Sequence, residues 1–295
     1  MSYGNNTDRH PNPLLQFSLR SPFLLITILF IAACLFKILD NFVLRLDELL
    51  GEAILTKGLG LLLVILYVRL AGKKLIDIGF HKRFLGKILL LSGLGYIMIY
   101  VIGYTAQLIA LRAGGEEANL VLTAIDPKTG MTGGLLFGLW MVVANLVNSA
   151  MEEGLFRGVM IKHLLLKFSG WGAILISAGF FAIWHLGWPI RHYFDGTSTL
   201  GEAGFEAFAL VLSTFIAGIS FGYLYLKTDN QWGPFLGHTI NNTLLNVLFF
   251  KTGAGLEAAT DFWIFRIIFL LGPLALIPVI KLVAERNRLP EAKPW

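Results

Sequence analysis

The chain has 295 residues, of which 56% are hydrophobic and 15% charged, with a mean hydropathy of +0.69. Soluble domains hold roughly 45–50% apolar and about 25% charged residues, so these proportions exclude a soluble enzyme and a disordered chain alike. A net charge of +5 leaves nucleic-acid binding to be decided by where the charges lie, and the single cysteine, Cys34, excludes an internal disulfide framework and a Cys-based metal site.

Residues 1–21 (MSYGNNTDRHPNPLLQFSLRS) are polar and read as a loose N-terminal tail. Eight apolar segments follow, near 22–39, 54–71, 86–111, 134–167, 172–188, 207–226, 233–250 and 262–283, and residues 284–295 form a basic C-terminal tail. About 20 apolar residues cross a hydrocarbon core of ~30 Å as a helix. The expectation is an all-α polytopic membrane protein of about eight transmembrane helices, with 22–283 as a single membrane domain. The first segment contains Ile31-Ala32-Ala33-Cys34, which resembles the box where lipoprotein signals are cut. Seven further spans already supply membrane attachment, so Cys34 reads as a small thiol of the first helix. The fourth segment is too long for one crossing, so its basic end at Lys162 and Lys167 is expected to project into water.

That fourth segment also carries charge where lipid penalises it. An ionisable side chain at mid-span costs at least ~2.5–3.5 kcal/mol on insertion scales and therefore needs a reason. Asn145, Asn148 and Glu152 lie at i, i+3 and i+7 and share a helix face. Glu153 and Arg157 lie at i and i+4 with the acid first, the favourable order for an ion pair. Glu153 thus has a cation to hold its charge, whereas Glu152 has only amides and helix neighbours. Two carboxylates in unlike surroundings suit acid/base chemistry, while an Arg–Glu clamp between helices is the purely structural alternative.

In the fifth segment, His185 sits in GFFAIWHLGW. A lone histidine on an aromatic helix is usually a packing residue. However, segments four and five form a hairpin turning near Ser169-Gly170, and Glu152 lies 17 residues before Ser169 while His185 lies 16 after it. At ~1.5 Å per residue the two fall at one depth. The sixth segment contains Gly218-Ile219-Ser220-Phe221-Gly222, which matches a nucleophile elbow in letters. An elbow needs a strand–turn–helix setting, so small-residue helix packing is the better reading. Gly134 and Gly138 repeat that spacing. The seventh segment carries His238, Asn241, Asn242 and Asn246, with His238 and Asn242 one turn apart. Interhelical hydrogen-bond glue is the structural alternative there. His238 follows the turn at Asp229-Asn230 closely, so helix tilt has to bring it to the depth of Glu152.

Sixteen of the 24 Lys and Arg residues fall on one side of this arrangement. They include Arg69, Lys73, Lys74, Lys82, Arg83 and Lys87 between segments two and three, and Lys281, Arg286, Arg288 and Lys293 at the end. The other side holds eight, with Asp47-Glu48 and Glu116-Glu117 beside them. The positive-inside rule then puts both termini in the cytoplasm, and the basic excess reports orientation rather than nucleic acid.

Glu152-Glu153-x-x-x-Arg157, Phe181-x-x-x-His185 and His238-x-x-x-Asn242, in that order on three membrane helices, resemble the CPBP intramembrane proteases. That group includes the type II CAAX prenyl endopeptidases and the Abi proteins. The resemblance implies hydrolysis of a peptide bond near the cytoplasmic side of the membrane. It implies Glu152 as general base on water with His185 assisting, Glu153 and Arg157 as its motif partners, and His238 and Asn242 as oxyanion stabilisers. It implies a peptide or protein substrate, prenylated or unmodified, at the membrane lipid. No cofactor is required in the glutamate-dependent reading; a zinc ion on Glu152, His185 and His238 is the metal-dependent alternative. A non-hydrolytic scaffold, bacteriocin self-immunity factor or transporter is the rival from another class. The plasma (inner) membrane of a prokaryote is the expected location.

Overall fold

The computed structural model describes residues 12–126 and 130–295; positions 1–11 of the expected N-terminal tail lie outside them. Helices dominate, because a chain in hydrocarbon must satisfy its backbone groups internally. In chain order they are α1 (Pro13–Arg20), α2 (Pro22–Ile38), α3 (Leu46–Leu50), α4 (Ile54–Leu70), α5 (Leu85–Ala113), α6 (Leu135–Glu153), α7 (Lys162–Leu164), α8 (Gly170–Trp184), α9 (Gly187–Phe194), α10 (Leu200–Thr228), α11 (Trp232–Val247) and α12 (Trp263–Arg286). Two π-helical turns, Leu39–Leu44 and Gly154–Ile161, extend α2 and α6.

Six helical stretches among the described residues have the length and apolarity to cross a membrane: Pro22–Leu44, Leu85–Ala113, Leu135–Leu164, Gly170–Phe194, Leu200–Thr228 and Trp263–Arg286. The second and seventh expected segments are the shorter helices α4 and α11, of 17 and 16 residues. Lipid-facing belts are visible as exposed large side chains, such as Leu24, Ile31 and Leu35 on α2 and Leu90, Leu94 and Val101 on α5. Helix starts follow capping chemistry. Thr199 and Glu202 form a reciprocal capping box at α10, and the Ser169 hydroxyl accepts from the Gly172 N–H at α8.

The bundle has two ends. At one, which we call the terminal end, the Gln231 N–H donates to the Gly79 carbonyl, Lys87 donates to Asn287, and the Ala292 N–H donates to the Leu226 carbonyl. At the other, the loop end, Trp140 Nε1 donates to the Leu50 carbonyl and Arg45 pairs with Asp195 at 2.8 Å. The loop end also carries strands that the apolar periodicity did not anticipate. These are β1 (Asn119–Leu122), β2 (Ala124–Ile125), β3 (Thr132–Gly133), β4 (Leu248–Thr252) and β5 (Gly255–Ala258). They form an antiparallel sheet of order β1-β4-β5 and a β2-β3 pair.

Several expectations change in detail. Residues 13–20 are helical where a loose tail was expected, with Ser18 fully buried and Leu14 against the main core. The fifth apolar segment breaks at His185, and the chain restarts as α9. The C-terminal residues pack back on the bundle: Leu289 and Ala292 are buried, and the Trp295 ring stacks on Tyr67 at 5.7 Å. Cys34 is half-buried against the main core.

The small-residue reading of the sixth segment fits α10. A Cβ on Gly218 would lie 3.0 Å from the Ala178 Cβ, and one on Gly222 would lie 3.2 Å from Ile174, so α8 and α10 meet across these glycines. Ser220 is fully buried and accepts a hydrogen bond from Tyr96 Oη at 2.9 Å, a packing role. The same reading fails at Gly134, whose Cβ would meet open space, while Gly138 approaches only Ala124.

Candidate active site

Glu152 and Glu153 are the last two residues of α6, where the helix widens into the π turn Gly154–Ile161. Gly154 and Gly158 let neighbouring elements close in. A Cβ on Gly154 would lie 3.2 Å from Val64, and one on Gly158 would lie 3.1 Å from Ile78 and from Gln231. π turns of this kind recur at functional sites.

The two glutamates point into different surroundings, as the ~100° helical offset requires. Glu153 and Arg157 are fully buried and pair at 3.2 Å. The Arg157 guanidinium lies 4.2 Å from the Phe181 ring centre and 5.4 Å from that of Phe221, so aromatic faces replace the missing water. Glu152 is buried on the wall of a cavity of about 400 Å³. Its Oε1 accepts from Trp184 Nε1 at 2.8 Å, and its Oε2 lies 3.4 Å from His238 Nε2.

His238 therefore bridges both carboxylates. Its Nδ1 lies 2.7 Å from Glu153 Oε1, and because a carboxylate oxygen accepts, Nδ1 carries the proton there. That leaves Nε2 as the nitrogen able to share a proton with Glu152. The imidazole is stacked on Phe221 at 5.3 Å and met edge-on by Phe181 at 5.8 Å, which fixes its plane.

His185 caps α8, and its Nδ1 donates to the Phe181 carbonyl at 2.8 Å, so Nε2 is the nitrogen it offers to the cavity. Asn242 is reached by a relay. Tyr100 Oη donates to Asn241 Oδ1 at 2.7 Å, and Asn241 Nδ2 donates to Asn242 Oδ1 at 3.0 Å. With its oxygen engaged, Asn242 presents its amide N–H groups as donors. Asn145 donates to Asn246 at 3.2 Å, and both line the cavity with Asn148, so the shared face read from i, i+3 and i+7 holds.

Of the six candidate residues, Glu152, His185, His238 and Asn242 line one cavity, whereas Glu153 and Arg157 stand behind its wall. The segment leading to His238 is anchored beside Glu153. The connection before α11 is itself sunk into the protein: Asn230 and Gln231 are fully buried, and Gln231 Nε2 donates to the Glu153 carbonyl. Gln231, Tyr100 and Trp184 were not singled out by sequence reasoning. For Trp184 a signal existed in its adjacency to His185; for the other two, partners 78 and 141 residues away give none.

Among the described residues, no three His, Cys, Asp or Glu side chains converge closely enough to hold a metal ion. His185, whose Nδ1 serves the Phe181 carbonyl, does not join Glu152 and His238 in such a cluster.

The cavity runs from the level of Glu152 towards the loop end, with Asn41, Lys57, Trp188, His192, Glu206 and Thr260 on its outer walls. A second cavity of about 580 Å³ adjoins it there through Trp188 and His192. Arg45 lines this outer cavity, and its guanidinium holds the Asp195 and Glu48 carboxyls below their ordinary range.

No curated protein and no solved structure matches the chain. Residues 134–244, which contain every one of the six candidates, match the family model described as type II CAAX prenyl endopeptidase Rce1-like. Over that site-bearing segment the chain is similar to the type II CAAX prenyl endopeptidases, the group its three motifs resemble, and it carries six helices able to span a membrane among the described residues.

Proposed function

We propose that the protein is an intramembrane endopeptidase in which Glu152 is the general base. The observation that carries this reading is the setting of Glu152: one oxygen held by Trp184, the other facing His238 Nε2, on a cavity wall shared with His185 and Asn242. Glu152 takes a proton from water, and the hydroxide oxygen bonds to the peptide carbonyl carbon while the C=O electron pair moves onto oxygen. Donors aimed at that oxygen act most strongly in a water-poor site. Asn242 donates through its amide, and His238, held between the two glutamates, directs Nε2 at the same oxygen. As the intermediate collapses, the C–N bond breaks and the proton on Glu152 passes to the leaving nitrogen. His185 Nε2 orients the water. Glu153 and Arg157 act through His238 as positioning residues, because neither reaches the cavity.

The substrate is a peptide or protein segment, and the glutamate mechanism requires no metal. The positive-inside count supports a cytoplasmic terminal end, and the expected location is the plasma membrane of a prokaryote. The cavity extends to the loop end, so with that orientation a substrate enters from the outer face.

The test uses purified protein in detergent with prenylated and unmodified fluorogenic peptides, each with and without a chelator. Wild type cleaves; Glu152→Gln loses about 10²–10⁴-fold, the range for a general base. His185→Ala loses activity too, and chelation changes nothing. Cleavage undiminished in both variants overturns the assignment, and loss with chelator restored by zinc replaces it with a metal mechanism. A scaffold, by contrast, would keep its cellular phenotype in Glu152→Gln.

A further inference from the structure

Between the catalytic cavity and the outer cavity stands a partition that the hydrolytic reading does not use. The two cavities, of about 400 and 580 Å³, share the lining residues Trp188 and His192, one turn apart on α9. Their ring centres lie 6.5 Å apart. α9 is a helix of eight residues with Pro189 in its first turn, and Gly196 at φ +72° follows its end. Trp188 comes four residues after Trp184, the donor to Glu152 Oε1, so the partition starts close in the chain to the proposed base.

The partition is braced from its outer side. Arg191 is buried and directs Nη1 to Asp47 at 2.6 Å, Nη2 to Glu48 at 2.8 Å and Nε to Asp195 at 3.3 Å. Asp47 and Glu48 belong to α3, so this guanidinium staples α9 to that helix. Arg45 adds pairs to Glu48 and to Asp195. The Arg191 guanidinium also lies 5.6 Å from the Trp188 ring centre and holds the indole through its face. His192 Nδ1 donates to Glu206 Oε2 at 3.0 Å, which ties the second partition residue to α10. The charges of the outer cavity thus pair with one another, and what they fix is the position of two rings. On the inner side, Phe181, Leu210, Phe221, Leu245 and Phe269 supply apolar walls, so an apolar substrate group has a place there.

We propose that Trp188 and His192 set the upper size of the apolar substrate side chain that the catalytic cavity admits, and that Arg191 is the positioning residue that holds them there. The inference deepens the endopeptidase reading and rests on it for its ligand class. A partition made of one rotatable side chain yields to a larger group. One clamped through Arg191 to three carboxylates yields only if buried charges lose their partners, which is unfavourable. In an apolar pocket of fixed shape, one methylene more or less changes binding roughly 10–200-fold. Trp188 is the bulkier of the two partition residues and supplies most of the limit. Truncating it joins the two cavities.

The experiment measures binding, so it does not depend on turnover. The full chain carrying Glu152→Gln is titrated in detergent with acetyl-trileucine amide and with the same peptide in which each leucine in turn is biphenylalanine. At the position that faces the partition, leucine is expected to bind at least about tenfold more tightly than biphenylalanine. Trp188→Ala should bring the two within about twofold while changing the leucine peptide less than about threefold, and Trp188→Phe should keep part of the difference. Arg191→Met should narrow the difference with Trp188 still present, and Arg191→Lys should narrow it less. Thermal midpoints identify any variant that fails to fold, and Trp188→Phe with Arg191→Lys then decides. Equal affinity for both side chains at every position overturns the proposal, as does a size preference unchanged in Trp188→Ala. If no peptide binds, the protease reading loses its ligand and thiol access decides the partition. In a Cys34→Ser background, Ser213→Cys on the inner wall is treated with a small and a bulky water-soluble methanethiosulfonate. Trp188→Ala should speed the bulky reagent at least about fivefold more than the small one, and an unchanged ratio overturns the proposal. A Trp188-dependent size limit in a protein that hydrolyses no peptide leaves the partition standing and removes the protease reading instead.

Discussion

Glu152 and Glu153 are neighbours in sequence with different surroundings, and the proposed division of their roles follows from those surroundings. Glu153 is sealed between Arg157 and His238, out of contact with the cavity. Removing one partner of a buried pair leaves an uncompensated charge, which costs about 3–5 kcal/mol. Arg157→Met should therefore lower the thermal midpoint in detergent strongly, and adding Glu153→Gln should recover part of the loss; equal midpoints for wild type and the single variant would refute the clamp. Trp184 acts on the other glutamate. Trp184→Phe retains an aromatic ring but removes the donor to Glu152 Oε1. A hydrogen bond to a charged group is worth about 1.5–3 kcal/mol, so kcat should fall roughly tenfold to a hundredfold with KM little changed. An unchanged kcat would show that the indole only packs.

The elements that carry these residues are locked together by small side chains and by departures from regular helix. α8 and α10 approach across Gly218 and Gly222, which holds Phe181 and Phe221 against Arg157 and His238. Gly218→Val should destabilise the protein by about 1–3 kcal/mol through overpacking. Gly179→Ala, on α8 but facing open space, should be neutral or stabilise by about 0.5–1 kcal/mol. Thermal midpoints of the two variants separate interface packing from helix propensity. The π turn after Glu153 and the buried connection at 229–231 belong to the same scale. The first carries Arg157, and the second sets Gln231 against the Glu153 carbonyl. An apolar run shows that a helix exists but not where its hydrogen-bond ladder widens, so neither feature was visible beforehand.

For the whole molecule, the question is which face of the membrane the cavity serves. Lys and Arg crowd the terminal end, while the cavity opens along α9, the start of α10 and the π turn 39–44 at the loop end. In a Cys34→Ser background, Thr197→Cys at the loop end and Lys82→Cys at the terminal end can be probed with a membrane-impermeant maleimide on intact bacteria. The charge asymmetry predicts labelling at 197 without permeabilisation and at 82 only after it. The reverse pattern would turn the cavity towards the cytoplasm.

The sequence by itself determined that the chain lives in lipid, where most of its spans run, and which three clusters of polar residues had to be explained. Those conclusions rest on transfer energetics: twenty apolar residues, or a carboxylate among them, carry the same penalty or gain wherever the helices end up. The pairing of Glu153 with Arg157 was legible for the same reason, since i, i+4 contacts are local. Tertiary structure alone decided that His238 joins both glutamates, that Trp184 donates to Glu152 and that Tyr100 donates to Asn241. Strands at the loop end and the inward dip at Gln231 were likewise invisible. Each depends on contacts between residues tens to hundreds of positions apart, and no helical period encodes which faces of separate helices will meet.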